Sequence, residues 1–250
     1  MSKLPAHPLR KWTAAKVALG RTGGSVQYRE LLDFRLAHAR ARDAVHQPFD
    51  PAKLFVELDP LGHRLLLVPS QALDRASYLQ RPDLGRKVAT DALNQLAKTH
   101  SDHDLVIILA DGLSATAAHF QGPPLIAALL PLLKDWSLAP IIIAPFARVA
   151  LQDEIAHAIG ARAALILLGE RPGLRSPDSL GAYLIHDPKP GITTDADRNC
   201  VSNIRPAGLH PEAAAHRIAW LLTESKRLGF SGVDLKDRSD ELRVDENSEH

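Results

Sequence analysis

One cysteine, Cys200, stands in 250 residues. The chain can therefore form no internal disulfide and no cysteine-rich zinc or iron–sulfur site. Sparse cysteine also fits a reducing, cytoplasmic compartment. Aromatic residues make up only 5%, too few for a platform on which bases stack. Charge of one sign is missing as well: 30 Lys+Arg face 29 Asp+Glu, a net of +1. So small an excess gives no field that gathers nucleic acid or an anionic membrane. Near the middle, the longest uncharged run is Phe120 to Leu133, 14 residues broken by Gly122-Pro123-Pro124. That run is too short to span a bilayer. At the start, M-S-K-L-P-A-H-P-L-R-K-W has no apolar h-region, and no secretory signal is expected.

What is present is ordinary globular composition, 45% hydrophobic and 24% charged, in a length that suits one large domain or two small ones. The pattern changes near residue 100. Before it the chain reads as helices: a short one closing at Gly20, an amphipathic one over Tyr28–Val45, a Pro-broken stretch from Pro48 to Pro60, and a helical region over Arg75–Lys98 in two pieces. Gly20 to Ser25 reads as a helix–helix turn. After residue 100 come short apolar runs, Leu105–Leu109, Ile141–Ile143, Ala164–Leu168 and the weaker Tyr183–Ile185. Strands buried on both faces look like this. Helical stretches lie between and after them: Ala115–Leu133, interrupted, Ala150–Ile159, and Glu212–Leu228 behind Pro211. The expected architecture is α/β, a helical N-terminal region over 1–100 followed over 101–236 by a mostly parallel sheet flanked by helices. A charged tail, 237–250, is expected to fray.

Open α/β sheets bind ligands outside the carboxyl ends of their strands. The loops to inspect are thus Asp111–Ser114, Pro145–Val149 and Gly169–Ser179, with Asp197–Asn203 as a segment that returns to them. Gly112-Leu113-Ser114-Ala115-Thr116 nearly spells the nucleophile elbow of α/β-hydrolases. Its last position is Thr116 rather than glycine, so Ser114 as a helix cap is the favoured reading. A stand-alone hydrolase using Ser114 is the alternative. Gly20-Arg21-Thr22-Gly23-Gly24-Ser25 has no lysine and fails as a phosphate-binding loop. No G-x-G-x-x-G follows an apolar run. The 12 histidines are scattered without a ligand set at metal spacing, and no metal site is expected. Glu170 and Arg171, between Gly169 and Pro172-Gly173, read at least as a local ion pair in a turn, worth under about 1 kcal/mol.

Seven segments carry a family resemblance: L-A-H-A-R-A-R-D-A-V-H at 36–46, A-D-G-L-S-A-T at 110–116, R-V-A-L-Q-D-E-I at 148–155, G-E-R-P-G-L at 169–174, S-L-G-A-Y at 179–183, D-R-N-C-V-S-N-I-R at 197–205 and S-G-V-D-L at 231–235. In this order they resemble the small (light) subunit of ethanolamine ammonia-lyase, over about residues 10–236. The resemblance implies a Rossmann-like region at 101–236 that helps to enclose adenosylcobalamin at the interface with a large TIM-barrel subunit. That large subunit would hold ethanolamine and carry the radical elimination of ammonia to acetaldehyde. Residues 1–100 would serve subunit contact, with the face from Arg35 to Arg42 as the docking candidate. Family contacts to the corrin map onto Val149, Glu170 and Cys200, and no residue here is implied to be catalytic. Val149 and Glu170 also lie near expected strand ends, and an amide-rimmed corrin asks for acceptors, donors and apolar contact. D-x-H-x-x-G is absent, so the cofactor is expected to keep its own benzimidazole as lower ligand. Cys200 is expected away from the adenosyl face, since a thiol donates hydrogen atoms to radicals. The complex is placed in the cytoplasm, with packaging in a bacterial microcompartment left open.

Overall fold

The structure, a computed structural model, describes residues 21–22, 25–174 and 176–239. The helix expected to close at Gly20 and the tail beyond 239 lie outside the described residues. In chain order the elements are β1 (Arg21–Thr22), β2 (Ser25–Val26), α1 (Tyr28–His46), α2 (Pro51–Leu58), β3 (Leu65–Leu67), α3 (Arg75–Gln80) and α4 (Thr90–Lys98). They continue as β4 (His103–Ala110), α5 (Ala115–Leu129), β5 (Ile141–Ala144), α6 (Leu151–Ile159), β6 (Ala161–Gly169), β7 (Leu180–His186), β8 (Asn199–Ile204) and α7 (Pro211–Leu228).

Six strands form one sheet in the order β3-β5-β4-β6-β7-β8. The first four are mutually parallel, and β7 and β8 complete the sheet antiparallel. The central strands are apolar on both sides because both sides are covered. Leu105, Ile107 and Leu109 of β4 pack with α2, α5 and α7 on one face. Val106, Ile108 and Ala110 pack with α4 and α6 on the other. The expected α/β class with a mostly parallel, helix-flanked sheet is what is found. After β4 the chain crosses to β5 on one side, and after β5 it returns past β4 to β6 on the other. The carboxyl ends of β4 and β6 therefore meet at a switch point, where a ligand crevice belongs.

Local differences have local causes. Of Gly20 to Ser25, read as a helix–helix turn, the described residues Arg21, Thr22 and Ser25 join Val26 instead in a small antiparallel ladder between β1 and β2. Pro48 to Pro60, read as a break, holds α2. Pro51 sits in its first turn and Asp50 caps it by accepting from the Lys53 N–H at 3.1 Å, a placement that favours rather than breaks a helix. β3, before residue 100, is an edge strand of three residues, too short to stand out as a run. α5 passes through Pro123-Pro124 without interruption and tightens into a 3-10 turn only at Leu130–Leu133. No helix among the described residues is long and apolar enough to cross a membrane.

Candidate functional site

The switch point is built by close backbone approach. Gly112 has φ +52°, and the Leu113 N–H donates to the Gly169 carbonyl at 2.8 Å. A Cβ on Gly169 would lie 2.1 Å from the Ser114 carbonyl oxygen and 2.5 Å from that of Asp111. Glycine at both positions is what lets the loops after β4 and β6 touch.

Beneath them lies a buried ion pair. Asp111, 1% exposed, meets the Arg75 Nη1 at 3.1 Å and accepts from the Phe146 N–H at 2.7 Å. Arg75 also donates to the carbonyls of Gly112 and Val45, so one guanidinium joins α1, α3 and the end of β4. Burial pushes the Asp111 carboxyl up to about 6, with Arg75 opposing. Phe146, at φ +56°, starts the loop that carries Val149, and Ser70 Oγ donates to its carbonyl at 2.7 Å. The Asp111 bond thus holds a strained residue where the loop leaves β5.

Ser114 is fully buried. It caps α5 by accepting from the Ala117 N–H at 3.2 Å, while its hydroxyl donates to the Pro177 carbonyl at 2.7 Å. Its proton is committed to a carbonyl rather than to a histidine, so a nucleophile's geometry is missing and the hydrolase reading fails here. Ser114→Ala is expected to cost about 1–3 kcal/mol, the cap plus a stranded carbonyl, read from a urea unfolding curve.

The three residues carried by the resemblance fall on one side of the sheet, the α6 side. Val149 packs partly buried against that core, just before α6. Glu170 follows β6 directly. Its backbone N–H donates to the Ser179 carbonyl at 2.9 Å and its Oε2 accepts from Ser179 Oγ at 2.5 Å. The expected local pair with Arg171 does not form among the described residues. Cys200 stands on β8 directly opposite Tyr183 on β7, and is exposed. Asp197–Asn203, read as a polar segment returning to the site loops, therefore forms edge strand β8 from Asn199 onward. Burial, with Glu170 nearby, pushes the Cys200 thiol up, the Tyr183 hydroxyl opposing. Such a thiol is no ready nucleophile. Burial, then Cys200 and Glu170, raise Tyr183 far above its ordinary range. Glu170, Tyr183 and Cys200 thus form one electrostatic group.

A second buried ion pair ties this group to α6. Arg198, two residues before Cys200, donates to Asp153, with 3% and 5% of the two side chains exposed. Gln152, in the amide orientation that satisfies both neighbours, donates to the Tyr183 carbonyl at 3.1 Å and accepts from Arg198 Nε at 3.3 Å. Burial raises Asp153 to about 6 against the pull of Arg198. Asn199 anchors the start of β8 by donating to the carbonyls of Gly232 and Leu235, which gives S-G-V-D-L its part. Val149, Ala150 and Arg198 line a pocket of about 450 Å³. Asp111, Arg75, Tyr183, Asp153 and Arg198 were not singled out from sequence as site residues. Arg75 lies in none of the seven segments, and the other four belong to them without their partners being legible, because the pairs join residues 36 and 45 positions apart. No group of three or more His, Cys, Asp or Glu among the described residues could hold a metal ion.

The family model for ethanolamine ammonia-lyase light chain (EutC) matches residues 3–236. A protein of Azotobacter vinelandii named ethanolamine ammonia-lyase small subunit is 49% identical over 247 residues, 96% of this chain and 91% of that protein. Proteins of the same name are 51% identical in Bradyrhizobium diazoefficiens, covering 94% and 91%, and 48% identical in Ralstonia nicotianae, covering 94% and 89%. On a match of this extent, the chain belongs to the ethanolamine ammonia-lyase light-chain family.

Proposed function

We propose that the chain is the small subunit of an adenosylcobalamin-dependent ethanolamine ammonia-lyase in ethanolamine degradation. In this reading it is inactive alone and works with a large TIM-barrel subunit in the cytoplasm. The observation that carries the proposal is that Val149, Glu170 and Cys200 share the α6 side of the sheet, Val149 and Glu170 just past the carboxyl ends of β5 and β6 and Cys200 on edge strand β8, level with Ile166 of β6. Among the described residues no activated nucleophile accompanies them. That is what a holding surface needs and what a self-sufficient catalyst lacks.

The residues fit a corrin. Its rim carries neutral amides, which ask for acceptors, and Glu170 offers Oε1, which has no hydrogen-bond partner among the described residues. Val149 supplies apolar contact from a loop fixed by Asp111. Cys200 and Tyr183 supply a flat surface beside Glu170. When bound, adenosylcobalamin supplies the radical that starts the elimination of ammonia, while ethanolamine is held mainly by the large subunit. This chain's part is to bind, orient and exclude water.

Within residues 1–100, α1 suits the subunit contact. α1 buries only Ala44 and leaves Tyr28, Leu32, Phe34 and Leu36 exposed beside Arg29, Arg35, Arg40 and Arg42. Such mixed apolar and arginine faces are typical of interfaces.

Glu170→Ala tests the site. Loss of a carboxylate acceptor is expected to weaken adenosylcobalamin binding by the two-subunit complex roughly 10-fold, measured by equilibrium dialysis, with assembly unchanged. Unaltered affinity would remove Glu170 from the site.

A further inference from the structure

The pocket beside Val149 contains more than apolar contact. Three arginines line it, Arg86, Arg148 and Arg198, against one acid, Asp195. Arg198 is committed: it donates to Asp153, to the Thr194 carbonyl and to Asp195. Arg148 is committed in part, and Arg86 is not. Arg86 is exposed and makes no ion pair or hydrogen bond among the described residues. Arg148 stacks on the Tyr78 ring at 4.3 Å and uses Nη2 on the Tyr78 carbonyl. Its Nε is buried and unpartnered among the described residues. The backbone N–H groups of Val149 and Ala150, just before α6, make no hydrogen bond among the described residues either. The acids of the first turn of α6 are occupied, Asp153 by Arg198 and Glu154 by the Val88 N–H.

The chain builds this cluster deliberately close. Arg86 reaches Arg148 because the Gly85 carbonyl accepts from the Arg148 N–H at 2.7 Å. A Cβ on Gly85 would lie 2.8 Å from Arg148 Cγ. The unspent Arg86 guanidinium and the backbone N–H donors beside it, with the positive charge of Arg148 behind them, are a receptor for an oxyanion. They also exclude ethanolamine, whose ammonium they repel. A volume of about 450 Å³ is far more than a lone phosphate fills and lies in the range of pockets for organic ligands. Val149 and Ala150 give it an apolar wall. The ligand should therefore carry an anionic ester on an organic body.

We propose that this pocket binds a phosphate ester, and that the ester it takes is the phosphodiester in the nucleotide tail of cobalamin. The assignment rests on the proposed role in holding cobalamin, and it makes Arg86 and Arg148 binding residues for the tail while Glu170 serves the corrin.

Adenosylcobinamide keeps the corrin amides and lacks the tail phosphate, so the two cofactors separate the two sites. In the reconstituted two-subunit complex, Arg86→Ala is expected to weaken adenosylcobalamin binding roughly 10-fold, one charge-assisted contact, and to leave adenosylcobinamide affinity unchanged. Arg86→Lys should recover part of the loss. Because Arg86 has no partner among the described residues, the thermal midpoint should not move. Equal losses for both cofactors, or no loss for cobalamin, overturn the assignment. Inorganic phosphate titrated calorimetrically into the cofactor-free complex tests the other source. Phosphate binding that Arg86→Ala abolishes, with cobalamin affinity intact, assigns the pocket to free phosphate and overturns the tail. A wild-type complex that binds neither cofactor fails the proposed function itself, a different result.

Discussion

Asp111→Ala is expected to destabilise the chain by about 3–5 kcal/mol, the range for breaking a buried ion pair from one side. The substitution leaves the Arg75 charge with only carbonyl partners, in a side chain 18% exposed. It also strands the Phe146 N–H, and Phe146 at φ +56° loses the bond that holds it. Asp111→Asn should cost less, since the amide oxygen still accepts from Phe146. A second readout is pH. The folded carboxyl titrates near 6, above its ordinary 3.8, so between those values the native state holds a proton that the unfolded chain has released. Stability contributed by such a group falls as pH rises through that window. Urea unfolding of wild type and Asp111→Asn at pH 4.5 and pH 7 should show a smaller downward component in the variant, where the part from Asp153 remains. The loop from Phe146 to Val149 should loosen in Asp111→Ala, so cobalamin affinity should fall with stability in that variant.

Arg198→Met is the second large effect, again about 3–5 kcal/mol at neutral pH. Methionine matches much of the arginine's length but leaves the Asp153 carboxylate, 5% exposed, without its cation. Asp153 Oδ1 already has no hydrogen-bond partner among the described residues, so nothing replaces the guanidinium. The carboxyl then escapes its cost only by taking a proton. Its folded pKa, already raised to about 6, must climb further, and the deficit relative to wild type should grow between pH 5 and pH 8. A deficit independent of pH would show that lost packing rather than the stranded charge dominates. Because Arg198 also accepts no substitute in holding Gln152 to Tyr183, the variant should disturb the surface around Cys200.

Both pairs show where sequence reading stops. β4, β5 and β6 were legible because burial on two faces writes itself as an unbroken apolar run. α7 was legible from Pro211 and its periodicity, and α1 from its alternating apolar and arginine positions. β8 was not, because Asn199–Ile204 is an edge strand with mostly polar residues and buries only Val201 and Ile204. α2 hid behind prolines that cap it. The positions of Val149 and Glu170 at strand ends followed from the run boundaries alone. What makes those positions a site did not: Arg75 finds Asp111, and Arg198 finds Asp153, only after the sheet has formed. Local patterns carry no information about such partners. Cys200 gained meaning in the same way, through its register opposite Tyr183.

The central claim is that this chain completes a cobalamin enzyme it cannot run alone. Co-expression with a large ethanolamine ammonia-lyase subunit, purification of the complex and assay of acetaldehyde from ethanolamine with adenosylcobalamin test it most directly. Activity is expected from the complex and from neither chain alone, with Ser114→Ala retaining it. Acetaldehyde formed equally well by the large subunit without this chain would contradict the claim.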